Sequence, residues 1–180
     1  METATINIFE FSELSPAAKD TARQWHESHG DWFRDSEFVD SLKALAEHFD
    51  GKLSNWSIDW SGCSGPSSAE FEMPSMTDRE ISRRLRALGT FNFRTLKGHG
   101  SCKLTGCGTD EDAIYGFRWA WYRDGSRSLD ELMQTAFETW IKAAHSNYEY
   151  DYGDEGLSET SDANDWRYTK SGKFWSKKNA

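Results

Sequence analysis

No apolar run in this chain exceeds a few residues, far short of the roughly 20 that a helix needs to cross a bilayer. The opening METATINIFEF has neither the basic stretch nor the apolar core of an export signal, so the chain is expected to stay inside its cell. Cysteine is scarce: Cys63, Cys102 and Cys107 form an odd set, which argues against a disulfide framework and for reduced thiols in a cytoplasm. Positive charge is in deficit, with 21 Lys and Arg against 30 Asp and Glu and a net charge of −9. Non-specific attraction to nucleic acid or an anionic membrane is therefore disfavoured, and a basic or neutral partner surface is favoured.

Aromatic residues are plentiful. Nine Trp, eleven Phe and six Tyr supply large apolar area per residue and make a packed core feasible although only 37% of residues are hydrophobic. At 180 residues, one domain is the expected organisation, and about two-thirds of the unfolded surface can be buried.

The alternation of Thr3 to Phe11 predicts an opening strand. Ser15 before Pro16 reads as an N-cap and first helical position, with Ala18, Ala22, Trp25 and His29 recurring at helical spacing up to Gly30. A second helix is predicted over Ser36 to Phe49. Trp56, Ile58 and Trp60, then Ala69, Phe71 and Met73, read as the arms of a long-tipped hairpin. Thr77 with Glu80 has capping-box spacing and opens a third helix ending near Gly89. Phe91 and Phe93 begin another strand, and Tyr115, Phe117, Trp119 and Trp121 read as an aromatic strand ladder. Ser128 with Glu131 repeats the capping box ahead of the strongest helical stripe, Leu129 to Ala144, which is expected to cover the sheet. Residues 149–165 hold seven carboxylates and no Lys or Arg, and read as a solvated loop or partly ordered acidic segment. A closing hairpin is predicted over 166–176. The expected fold is a single α+β domain, an antiparallel sheet of about five to six strands packed with about four helices.

Few residues offer chemistry. His99, Cys102 and Cys107, with Cys63 elsewhere, are ligand types that zinc prefers, but their spacing is not that of paired CxxC motifs, and packing is the favoured reading. His26 and His29 stand one turn apart and are expected to be a surface pair. Asp110 with Asp112, and Asp151 with Asp154, fall in stretches that read as solvated. The glycines at 98, 100, 106 and 108 are followed by no phosphate-binding Lys-Ser or Lys-Thr and mark a bulged hairpin. No catalytic residue and no cofactor is assigned.

Two charged stretches remain as binding candidates. Arg79, Arg83, Arg84 and Arg86 give the third helix a basic face, for which an ordinary solvated face is the favoured account. The acidic segment, with Asp151, Asp154, Glu155 and Asp162, can imitate nucleic-acid phosphates towards a basic groove.

Three blocks carry a resemblance. FSELSPAAKDTARQW (Phe11 to Trp25), WSGCSGPSSAEF (Trp60 to Phe71) and YTKSGKF (Tyr168 to Phe174) resemble, in order and spacing, a family of small tailed-phage accessory proteins. The blocks are a capped helix, a hairpin and a closing turn, without catalytic residues, and the hairpin tip departs from the family's polar run at Cys63 and Pro66. The resemblance implies an inhibitor of a host defence complex, a CRISPR effector or another nuclease, acting by stoichiometric binding in the host-cell cytoplasm. The alternatives are a metal-dependent nucleic-acid-binding or processing enzyme using His99, Cys102 and Cys107, and an antitoxin-like regulatory protein.

Overall fold

Two helix starts are set by side chains that satisfy the first free backbone N–H groups. Thr77 Oγ1 accepts from Glu80 N at 3.4 Å while Glu80 Oε2 accepts from Thr77 N at 2.9 Å. Ser128 and Glu131 repeat the exchange at 3.3 and 2.8 Å. The predicted capping boxes thus open two helices, Asp78–Ala87 (α3) and Leu129–Asp151 (α5).

The computed structural model describes residues 7–29, 33–59, 66–92, 97–99, 104–105, 109–125 and 127–176, with backbone alone at 33–38, 90–92 and 97–99. Besides α3 and α5, the helices are Pro16–His29 (α1), Phe33–His48 (α2), Thr109–Arg123 (α4) and Asp154–Ala163 (α6). A short 3-10 turn, Phe11–Glu13, precedes α1. Strands pair in three antiparallel ladders: Lys52–Ser57 (β1) with Ser68–Glu72 (β2), Thr90–Asn92 (β3) with Lys97–His99 (β4), and Arg167–Tyr168 (β5) with Phe174–Trp175 (β6). The fold is α+β. The expected sheet of five to six strands is replaced, among the described residues, by these separate two-stranded ladders and by six helices.

Two expectations fail for identifiable reasons. The aromatic ladder at 115–121 is the helix α4, because Ala113, Ile114, Phe117, Ala120 and Trp121 form an i, i+1, i+4, i+7, i+8 buried stripe that outweighs the strand preference of its aromatics. Asp110, Glu111 and Asp112 then stand in its first turn, where the helix dipole favours negative charge. The acidic stretch 149–165 is helical too: α5 runs on to Asp151, and α6 begins with Asp154 and Glu155 at its positive end and buries Leu157 and Ser161. Residues 3–6 of the expected opening strand lie outside the described residues; after them, Phe9 forms an antiparallel bridge with Tyr168, with N–H to carbonyl distances of 2.8 and 2.9 Å.

Chain contacts divide into two units. Residues 33–146 bury a large apolar cluster: Val39, Leu42, Leu45, Ala46 and Phe49 of α2 and its end, Ile81, Leu85 and Leu88, the stripe of α4, and Leu129 to Trp140 of α5. Phe117 stacks on Phe49 with centroids 4.5 Å apart. Helices α4 and α5 approach so closely at Gly116 that a Cβ there would lie 2.6 Å from Thr139 Oγ1. The buried Arg118 guanidinium donates to the Leu85 and Gly89 carbonyls at 3.2 and 3.1 Å, stabilising the negative end of α3.

Residues 1–32 and 147–180 form the other unit. Its smaller cluster comprises Phe11, Leu14, Ala18, Ala22, Leu157 and Tyr168, with Phe9, Trp166 and Phe174 packed against it. The predicted closing hairpin is present as β5 and β6. Gly172 turns it with φ of +83°, and a Cβ at that position would overlap the Ala18 carbonyl, so the turn needs glycine on both counts. No helix among the described residues is long and apolar enough to cross a membrane.

Candidate functional site

The unit made of the two chain ends carries thirteen carboxylates against seven Lys and Arg, so it supplies −6 of the net −9. Helix α6 arranges part of that charge. Leu157 and Ser161 point inwards and are buried, while Glu155, Glu159 and Asp162 are exposed. The i, i+4, i+7 spacing puts these three carboxylates within about 60° of one another around the axis and along about 10 Å of it. Among the described residues, no Lys or Arg pairs with any of them. Tyr150, 47% exposed at the end of α5, donates its hydroxyl to Glu159 Oε2 at 2.9 Å, and that bond raises the pKa of the phenol.

The remaining acidic candidates occupy other environments. Asp154 is committed within its unit: Lys19 Nζ lies 2.8 Å from Oδ2 and Arg23 Nη2 2.8 Å from Oδ1, and the Lys19 bond first among these contacts lowers its pKa. Arg23 also donates to the Tyr152 carbonyl at 2.9 Å and pairs with Asp20 at 2.6 Å. These bonds tie α1 to the start of α6. Asp151 is half-buried at the end of α5. Sequence reasoning named Glu155 and Asp162 but passed over Glu159, whose place in the row was detectable only once 154–163 was read as a helix.

The basic candidates separate in the same way. Arg79, Arg83 and Arg86 are exposed on α3. Arg84 is half-buried, forks onto both oxygens of Asp50 and donates to the His48 carbonyl, so it fastens α3 to the end of α2. His48 returns a bond between its Nε2 and the Arg84 carbonyl at 2.9 Å. Only the first three arginines present their charge outwards.

His26 and His29 are not the expected surface pair. His29 is exposed, but His26 is 5% exposed, and its Nε2 lies 2.7 Å from the Tyr168 hydroxyl. Tyr168 in turn lies 2.7 Å from Ser161 Oγ. The reason is rotational: the bonded turn that follows Pro16 faces Ala18, Ala22 and His26 inwards at i, i+4 and i+8, whereas the sequence reading placed Trp25 and His29 on that stripe. Trp25 lies at the stripe's edge, stacked between His29 at 5.0 Å and Phe174 at 4.2 Å. Burial pushes the His26 pKa down to about 4, so the ring is neutral at pH 7.

Cys63, Cys102 and Cys107 lie outside the described residues, and His99 is described by backbone alone, in β4. Among the described residues, no group of His, Cys, Asp and Glu is arranged to hold a metal ion. Asp110, expected in a solvated stretch, is instead buried, where it accepts from Thr105 N at 2.9 Å and Thr105 Oγ1 at 2.8 Å. Burial raises the pKa of its neighbour Asp112. Comparison of the chain with protein-family models, with curated proteins and with solved structures finds no match.

Proposed function

We propose that this protein acts by stoichiometric binding, with the carboxylate row of α6 seated in the basic, nucleic-acid-binding groove of a partner protein. The observation that carries the reading is the row Glu155, Glu159 and Asp162, exposed and without a cationic partner among the described residues, beside an Asp154 that is fully committed to Lys19 and Arg23. Three charges over about 10 Å of helix approach the axial charge density of one nucleic-acid strand, about one phosphate per 3.4 Å. The exposed Tyr150 beside Glu159 adds an aromatic of the kind enriched at binding interfaces. With the resemblance to tailed-phage accessory proteins, the partner class is a host defence complex, a CRISPR effector or another nuclease, held away from nucleic acid in the host cytoplasm.

The test is capture on immobilised protein from a lysate with active defence systems, at low and high salt, followed by mass spectrometry. The expected result is stoichiometric recovery of a nucleic-acid-processing protein at low salt. Recovery should be lost with Glu155→Gln/Glu159→Gln/Asp162→Asn and retained with Arg79→Gln/Arg83→Gln/Arg86→Gln. Recovery of the same partner by the carboxylate variant overturns the reading.

A further inference from the structure

Helix α1, helix α6 and the closing hairpin meet at one hydrogen-bonded chain, from His26 Nε2 through the Tyr168 hydroxyl to Ser161 Oγ. All three residues are buried. Aromatic rings enclose the imidazole: Trp166 stacks at 4.8 Å, Trp25 meets it edge-on at 4.9 Å, and Tyr168 stands at 6.1 Å. Nε2 of the neutral ring is satisfied in either tautomer, because the Tyr168 and Ser161 hydroxyls can each donate or accept. Protonation leaves Nε2 able to donate to Tyr168, so the bond survives. What changes is that a full charge stands inside an apolar enclosure.

The charged and titratable groups around it offer no compensation. On α1, Arg23 and His29 lie about one turn to either side, both of the wrong sign when charged, and Glu27 follows on the exposed surface. From the hairpin come Tyr168, whose ionisation burial pushes upwards, and Arg167, which pairs with Asp165 at 2.8 Å and Glu10 at 3.6 Å. Helix α6 contributes Ser161, with Asp162 on its solvent side. Burial is accordingly the cause of the low His26 pKa, with no neighbouring charge contributing.

We propose that His26 is an acid-sensitive latch: protonation expels its imidazole from the aromatic joint and releases α6 from α1 and the hairpin. The sign follows from the two states. Released, the ring titrates near 6.5; enclosed, it resists protons to about 4. The open form binds more protons, so the closed form loses stability as pH falls below 6.5, and the loss is complete near 4. At pH 5 the closed-to-open ratio falls on the order of 30-fold relative to pH 7.5. Because Ser161 and the carboxylate row occupy opposite faces of α6, release also disorders that row. This last consequence rests on the binding reading; the latch does not.

The test is amide hydrogen exchange of the full chain at pH 7.5 and 5.0, corrected for intrinsic exchange, in wild type and His26→Gln, which keeps a polar side chain but cannot titrate. Wild type should show the roughly 30-fold rise in opening of α1, α6 and the hairpin, and the variant a change of a few-fold at most. Equal rises in the two proteins overturn the latch. A proton NMR titration of the wild-type histidines decides the matter if the variant does not fold: His26 should titrate with a midpoint far below 6.5, and a His26 midpoint near 6.5 overturns the proposal. Partner capture is measured at pH 7.5, where the latch is closed, so its failure bears on the binding reading alone.

Discussion

Residues 33–146 and the unit built from the two chain ends hold themselves together by different means. The first buries some twenty apolar residues drawn mainly from four helices, α2 to α5. The second has a cluster of six and closes it with a polar chain, His26, Tyr168 and Ser161, and with the Lys19, Arg23 and Asp154 pairs. A large apolar core is insensitive to pH and salt, whereas a small core completed by a buried histidine and ion pairs responds to both. The unit with most of the net charge is thus also the one whose stability conditions can tune.

The contrast can be broken by mutation. Phe117→Ala removes the ring stacked on Phe49 and should cost about 3–5 kcal/mol, seen as a lower urea midpoint with little change between pH 7.5 and 5 beyond that of wild type. Gly172→Ala forces a side chain into a left-handed turn and against the Ala18 carbonyl; about 2–3 kcal/mol should be lost, with hydrogen exchange accelerated in the hairpin and α1. Tyr168→Phe leaves His26 Nε2 and Ser161 Oγ without their shared partner and should cost about 1–3 kcal/mol, again read by exchange in α1 and α6. Thr77→Ala dismantles only the α3 capping box and should cost about 1 kcal/mol in thermal unfolding.

Within each region, some elements were legible in the sequence and others were not. Elements with a local signature were readable: both capping boxes, Ser15-Pro16 at the start of α1, and the turn at Gly172. Failures came where two physical preferences compete. Aromatics at 115, 117, 119 and 121 suit a strand by alternation, but the small residues Ala113, Gly116 and Ala120 permit close helix packing, and the 3.6-residue stripe prevailed. Charge density in 149–165 suggested solvation, yet α6 needs only a narrow apolar face, Leu157 with Ser161 and Gly156, to dock. The burial of His26 was hidden for a similar reason, since its partner Tyr168 lies 142 residues away and no local pattern announces it. Glu159 entered the candidate site only through the helix that carries it.

The most direct measurement is the affinity of the captured partner for wild type and for Glu155→Gln/Glu159→Gln/Asp162→Asn across a salt series at pH 7.5. The account predicts at least a tenfold loss in the variant at about 50 mM salt, shrinking as salt rises and screens the exposed charges. Equal affinity and equal salt dependence for the two proteins would contradict it and remove α6 from the interface.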